Sequence, residues 1–351
     1  YRFVKMLSAS RAARKGSPLA RRLVRWCSES GSSKPWTEAM SESEFARMRS
    51  VLSAPSPVGM EAAMTHGVLL PWFKEFMPST WGVHTFQGNA GMVVDTHPGR
   101  EDMLKVMVMG HADKIRCQVR SVAADGKVYI ESDSFLPLTL LGNEVVVFSE
   151  SEEKPGTYRT IRGATVEALG AIHFSTAQHR QGTAGVKKQQ LYLEFGLHGD
   201  RRKAQVERLG IKPGDAVLLD RPIRRGLAPH SFTGAYLDNG LGCFVAGRLG
   251  QEIAARWSAR GPLEHVRCLF AFSAFEEIGR FGSRVIASSL RPDALVAADV
   301  NHDFDAAPLV GDQRFTPLKM GAGFTLAVGS VATPALNSLI LRAARDRGVP
   351  V

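Results

Sequence analysis

The chain has 351 residues, 44% of them hydrophobic and 22% charged. That is enough for one large domain or two modest ones, with a composition ordinary for a soluble globular protein. No apolar run approaches the roughly 20 residues that a membrane helix needs, which disfavours a membrane role. The net charge of +10 is concentrated at the start: residues 1–28 hold eight Arg and Lys and no acid. Without them the remaining 323 residues carry only +2, which disfavours a nucleic-acid partner. Cys27, Cys117, Cys243 and Cys268 form no CxxC pair. This argues against a disulfide framework or a thiolate zinc knuckle, and for a reducing compartment.

Residues 1–35 read as a basic leader with the Arg-, Ser- and Ala-rich composition of an organellar transit peptide, with Met6 as its candidate start. Untranslated or mis-assembled sequence is the alternative, because the chain opens on Tyr1. The expected location is accordingly the cytoplasm, or an organelle matrix if the leader is real.

The folded body is expected from about Trp36. Ser41 and Glu44 have capping-box spacing for a helix through Phe45, Met48 and Val51. Ser56-Pro57 breaks it, and a second amphipathic helix is predicted over Glu61–Phe76. Leu104–Met109 is a continuous apolar run of the kind found in buried strands. Between about Ser121 and Arg221 the texture changes to short β-rich segments at Lys127–Glu131, Glu144–Phe148, Gln190–Phe195 and Ala216–Leu219, separated by Gly, Pro and Asp turns. This predicts a small barrel-like insert. Beyond it, helices over Leu241–Trp257, Ser283–Ser289 and Pro334–Arg347 alternate with strands over Val266–Phe275 and Ala294–Val300. That order predicts an α/β sheet with helices on its faces. The expected division is 36–120 and 222–351 for the α/β domain, with 121–221 as the insert.

Four segments place metal-ligand side chains at the ends of these strands. In VMVMGHADKI, His111 and Asp113 stand two apart, on one face of an extended backbone. The carboxylate there suits holding an imidazole's tautomer, although a stray surface histidine would give the same pattern. In GAYLDNGLGC, Asp238 precedes Asn239 and two glycines, either as a ligand or as an ordinary helix cap. In LFAFSAFEEIGRFGS, Glu276 and Glu277 close an apolar run, where two carboxylates are costly unless paired, protonated or metal-bound. One of them ligating a metal while the other acts as general base is one reading; a solvated strand end is another. In PDALVAADVNHD, Asp299 falls within the predicted strand Ala294–Val300, with His302 and Asp303 following. Imidazole with carboxylates and no thiolate suits Zn²⁺, Co²⁺ or Mn²⁺.

The ordered set of GHADKI, LDNGLGC, EEIGRFGS and ADVNHD comes with SPVG (Ser56–Gly59), LYLEFG (Leu191–Gly196) and GIKPGD (Gly210–Asp215). Together these resemble the tetrahedral, or glutamyl-type, aminopeptidases from about Phe45 to Val351. The resemblance implies a dinuclear metallopeptidase: a mixed sheet flanked by helices, with an inserted β-barrel that mediates dimerisation. It also implies peptide substrates, dimers able to assemble into twelve-subunit particles, and two divalent ions per subunit, Zn²⁺ or Co²⁺ with Mn²⁺ as an alternative. By the same resemblance His111 is a terminal ligand of one metal and Asp238 bridges both. Glu277 ligates one metal and Asp299 the other, Glu276 is the general base, and Asp113 supports the His ligand.

Three departures qualify these expectations. Lys114-Ile115-Arg116 stands where relatives carry Glu-Ile-Gly, which predicts altered pocket electrostatics. Asn239 replaces a second Asp, leaving Asp238 as the bridging candidate. The family's last ligand, a His, is expected beyond Val351, so the site is expected to be incomplete in this polypeptide. The rival readings are a related-fold metallocarboxypeptidase or deacylase, and a catalytically silent assembly subunit.

Overall fold

The computed structural model describes residues 40–132, 134–154, 157–168, 170, 177–181, 185–228, 231–306 and 318–351; the basic leader lies outside them. Ser41 Oγ accepts the backbone N–H of Glu44, and the Glu44 carboxylate accepts that of Ser41. This is the expected capping box, and helix α1 (Glu42–Ser53) starts from it, burying Phe45, Met48, Val51 and Leu52. The second helical segment, α2, occupies 62–74, with a π-helical turn at Thr65–Leu69 between α-helical pieces. The wide turn immediately precedes Leu70-Pro71. It accommodates a ring that lacks an N–H and would crowd the carbonyl four residues back in a regular helix.

Strands β1 (Gly82–Thr85), β2 (Gly91–Asp95) and β3 (Leu104–His111) follow. The chain then forms a closed barrel from β4 (Cys117–Val122), β5 (Val128–Ser132), β6 (Glu144–Glu150), β7 (Tyr158–Ala168), β8 (Leu191–Glu194) and β9 (Ala216–Leu219). Its interior is filled by Val119, Ile130, Val147, Val166, Leu193 and Val217, among others. Neither β4 nor β7 is anticipated from sequence. In β7 the buried residues are Ile161, Ala164 and Val166, because the register against β6 shifts between Val145 and Val147. An irregularity of that kind breaks the alternation by which a strand is recognised.

After the barrel come a short antiparallel pair, β10 (Arg224–Arg225) and β11 (Phe232–Thr233), and then helix α3 (Leu237–Arg260). Strand β12 (Val266–Ser273), helix α4 (Phe281–Leu290), strand β13 (Ala294–Ala297) and helix α5 (Pro334–Asp346) complete the described chain. Both strands stop short of their predicted ends. β12 finishes at Ser273, and the chain then turns through Phe275, held at φ 57°. β13 finishes at Ala297, so Asp299 sits just past the strand and not within it. Among the described residues no helix is long and apolar enough to cross a membrane.

The five-stranded sheet has the order β1-β2-β12-β3-β13, with β12, β3 and β13 parallel and the β1–β2 and β2–β12 pairs antiparallel. The apolar run of β12 is explained by burial on both faces. Phe270 and Phe272 join Trp72, Phe73, Phe244 and Met48 in the main core. Leu269 and Ala271 join Met107, Met109 and Ile286 on the opposite face. Trp72 stacks on Phe244 with ring centroids 5.7 Å apart; aromatic contacts of this kind contribute beyond their buried area.

Parallel pairing aligns the carboxyl ends of the strands. His111 of β3 is in register with Ser273 of β12, and Met109 with Ala297 of β13. Helix α3 presses its first turn against the same edge. A Cβ built on Gly110 would lie 2.6 Å from both Gly242 C and Cys243 N. Glycine is thus required where the strand bearing His111 crosses the helix bearing Asp238. Gly110→Ala is expected to cost about 1–3 kcal/mol by overpacking against backbone. Gly185→Ala, at a site with no atom of the described residues within 4 Å of the added methyl, should be near neutral. Equal denaturation midpoints for the two variants would contradict this packing.

Candidate metal centre

At the carboxyl edge of the sheet His111 is 4% exposed and Asp113 is fully buried. The imidazole Nδ1 lies 3.1 Å from the Asp113 carbonyl oxygen and 3.4 Å from its Oδ1. These acceptors fix Nδ1 as the protonated nitrogen and leave Nε2 to face outward. Nε2 stands 2.9 Å from Asp238 Oδ1 and 3.9 Å from Glu276 Oε2. Asp299 completes the group: ligand atoms of His111, Asp238 and Asp299 all lie within 4.8 Å of one another. The chain thus brings together one imidazole and two carboxylates from sites that are far apart in sequence.

Asp113 does more than support the histidine. Its Oδ1 accepts the backbone N–H of Glu276 at 3.1 Å and its Oδ2 that of Glu277 at 3.0 Å. The same carboxylate therefore fixes the end of β3 and the turn after β12. Glu277 stands outside the tight group of ligand atoms, yet its carboxyl senses the charges of His111, Asp238, Asp113 and Glu276. Glu276 Oε1 accepts from Arg280 Nε at 2.7 Å, a partner that sequence reasoning did not assign. Asn239 is buried and structural: Nδ2 donates to the Ala298 carbonyl and Oδ1 accepts the Gly242 N–H, each at 2.8 Å. It ties the first turn of α3 to the segment that carries Asp299.

The electrostatics are those of crowded anions. Burial, then the neighbouring carboxylates of Asp238, Asp113 and Glu276, push Glu277 up to about 7 against the pull of His111. Burial also raises Asp299, with Asp238 and Glu276 adding to it. For His111, burial favours the neutral ring, but its bonds to Asp113 and Asp238 outweigh that and hold it at about 10. Arg280 pairs with Glu276 and His111 is the remaining cationic group at the cluster; a divalent cation would offset the other carboxylates. The donor set therefore fits a metal of the imidazole–carboxylate type.

Lys114 departs from its expected role. It is 2% exposed, and its amine donates to the carbonyls of Leu52, at 2.7 Å, and Ala54. It also lies 5.3 Å from the centroid of the Tyr236 ring. Its charge is sunk beneath the end of α1 and not presented to the site. Arg116 is occupied with Gln118 Oε1 at 3.1 Å. The distinctive basic pair thus contributes scaffold, and Lys114 links α1, the strand end bearing Asp113 and the turn preceding Asp238.

His111, Asp238 and Asp299, converging beyond the parallel strand ends of a mixed α/β sheet, make a candidate metal centre. The chain belongs to the M42 glutamyl aminopeptidase family, whose pattern matches residues 91–351. It is 24% identical over 265 residues to SgcX of Escherichia coli (strain K12), whose own aminopeptidase assignment is provisional; the match covers 72% of this chain and 64% of that protein's length. Among solved structures, a TET aminopeptidase from the marine sediment archaeon Thaumarchaeota archaeon SCGC AB-539-E09 superposes with a TM-score of 0.71 at 17% identity, covering 88% of this chain and 80% of the other. Aminopeptidase APDkam598 from Desulfurococcus kamchatkensis gives 0.70 at 19% identity, covering 88% and 78%. The Pyrococcus horikoshii TET1 peptidase, described as assembling into a tetrahedron or a large octahedral shell, gives 0.56 at 18% identity, covering 80% and 73%.

Burial pulls the Lys114 amine from the ordinary 10.5 down to about 7. Between those values the folded chain holds fewer protons than the unfolded one, so stability rises with pH across that window. Below pH 7 both states carry the proton and the contribution is flat. Lys114→Met should remove a slope of up to about 1.4 kcal/mol per pH unit between pH 7.5 and 9.5. Denaturant titrations at several pH values would read the difference. Parallel stability profiles for parent and variant would contradict the assignment.

Proposed function

We propose that this protein is a metal-dependent aminopeptidase that releases N-terminal residues from peptides by water attack on the scissile carbonyl. The observation that carries the reading is the convergence of His111, Asp238 and Asp299, with Glu276 beside them, at one edge of the sheet. Family membership supports the same activity. Bound divalent ions, two per subunit and Zn²⁺, Co²⁺ or Mn²⁺ by donor type, would polarise the carbonyl and acidify the attacking water.

In this reading His111, Asp238 and Asp299 would hold the ions. The Asp238 side chain is 58% exposed, so its carboxylate would be open to a bound ion. Glu277, which stands outside the tight group, is assigned as the further carboxylate that would hold an ion. Glu276 accepts the proton of the attacking water and returns it to the leaving amine. Its carboxylate stays close to His111 Nε2 while Arg280 holds its other oxygen. Asp113 holds the Nδ1 side of His111, so that a bound ion, displacing the Nε2 proton, would find Nε2 facing it.

Loss of a positioned general base typically costs about 10²–10⁴ in rate. Glu276→Gln should therefore lower kcat by that order while leaving metal content at the parent level, whereas Glu277→Gln should lose metal. Metal analysis beside aminoacyl-anilide turnover checks both. The opposite pattern would reverse the two roles, and unchanged turnover in both variants would sink the aminopeptidase reading.

We further propose that the insert, expected from sequence at residues 121–221 and holding barrel strands that start at Cys117 and end at Leu219, is a separable module for subunit contact. Leu136 and Leu138 support this, standing 70% and 74% exposed on its surface; apolar side chains grouped in this way mark association surfaces. The TET1 peptidase, with which the fold is shared, forms shells. Replacing the barrel with a short Gly/Ser bridge should give smaller particles by light scattering. Unchanged particle size would reject the assignment.

A further inference from the structure

Asp113 holds the turn that carries Glu276 and Glu277 at two of its backbone N–H groups, and a third is held elsewhere. The two residues follow Phe275, which sits in the left-handed region at φ 57°, a conformation that costs a bulky L-residue free energy and persists only when its surroundings enforce it. Three successive backbone N–H groups project from this turn, those of Phe275, Glu276 and Glu277. The last two are taken by Asp113. The first points at Glu61 Oε1, 3.4 Å away.

Glu61 is fully buried, far from Phe275 in sequence, and belongs to no ion pair among the described residues. Its carboxylate accepts from Gly59 N at 2.9 Å through Oε1 and from Asn89 Nδ2 at 2.9 Å through Oε2. A buried carboxylate committed to three uncharged donors is expensive to maintain. Helix initiation does not explain it, since Glu61 makes no side-chain bond to the helix it precedes. Met60, its neighbour, packs with Val146, Phe148 and Leu218 of the barrel, so the segment is anchored on both sides.

We infer that Glu61 is a positioning residue: by holding the Phe275 N–H it completes, with Asp113, a two-carboxylate clamp on the turn that aims Glu276 and Glu277 into the centre. The inference rests on the proposal that these two glutamates act there. Glu61 touches neither substrate nor the reacting atoms and works only through the backbone of the turn.

The role requires an acceptor at a set reach and not a charge, which separates three substitutions. Glu61→Gln keeps an acceptor at the same reach, and Asn89 can reverse its amide to satisfy the new NH₂. Glu61→Asp keeps the charge but is one methylene short, and Glu61→Ala removes the acceptor. The test measures amide hydrogen exchange over the segment containing Phe275 beside steady-state kinetics, at a temperature where all variants are folded. Asp and Ala should accelerate exchange in that segment while leaving β3 protected. They should lower kcat on the order of 10- to 100-fold, as misplacement of catalytic groups by about an ångström does, with KM little changed. Gln should stay within about threefold of the parent in both readouts. Unaltered exchange at Phe275 in folded Glu61→Ala, or Asp behaving like the parent while Gln behaves like Ala, would overturn the inference. If the parent itself proves inactive on peptides, the aminopeptidase reading fails, and the exchange comparison still decides the clamp.

Discussion

The buried carboxylate of Asp113, with each oxygen accepting one backbone N–H from the far strand end, is the contact on which the site depends. Through Glu276 N and Glu277 N it joins the turn after β12 to the end of β3. From the same residue the carbonyl holds His111 Nδ1. One residue thus sets the histidine's tautomer and the position of both glutamates. Charge-assisted bonds of this sort are among the stronger ones in a protein interior, and removing such an acceptor leaves two buried donors unsatisfied. The parallel register of β12 on β3 makes the contact available, since it brings Ser273 level with His111.

Around that anchor the scaffold is built from groups that spend their hydrogen bonds on backbone. Asn239 ties α3 to Ala298, and Lys114 ties the end of α1 to the strand bearing Asp113. Their effect is to fix several chain segments at once, so that the outward-facing atoms, His111 Nε2 and the Asp238 and Asp299 carboxylates, converge. Burial first, and then the neighbouring carboxylates, raise the Glu277 and Asp299 carboxyls, so the convergence carries a cost. Proteins retain such crowding where function needs it and stabilise it elsewhere. Here the compensation lies in the doubly buried sheet and its aromatic core around Trp72, Phe73 and Phe270.

Much of this was legible in the sequence, and the exceptions have physical causes. The two-residue spacing of His111 and Asp113 was readable as one face of an extended chain, although β3 ends at His111 and Asp113 lies just past it. The apolar runs of β3 and β12 mark buried strands. The strand ends were less legible. Asp299 reads as part of β13 but lies beyond it, because apolar residues continue after Ala297, the last residue paired with β3. Glu61 reads as the start of a helix, while its carboxylate acts on a backbone N–H 214 residues away. Lys114 reads as pocket charge, and only the tertiary placement of α1 shows where its amine goes. β7 was hidden by its irregular register, and Arg280 by exposure, which sequence pattern does not distinguish from ordinary surface charge. Side chains that act through long-range backbone contacts leave no periodic trace.

The central claim is that the outward face of His111 and the carboxylates around it form a metal centre. Crystals grown with Zn²⁺ or Co²⁺ and measured at the corresponding absorption edge address it directly. The account predicts an anomalous peak bounded by His111 Nε2 and the carboxylates of Asp238 and Asp299, which Asp238→Asn weakens or removes. Ions bound only elsewhere, with His111 Nε2 still in contact with Asp238, would contradict it.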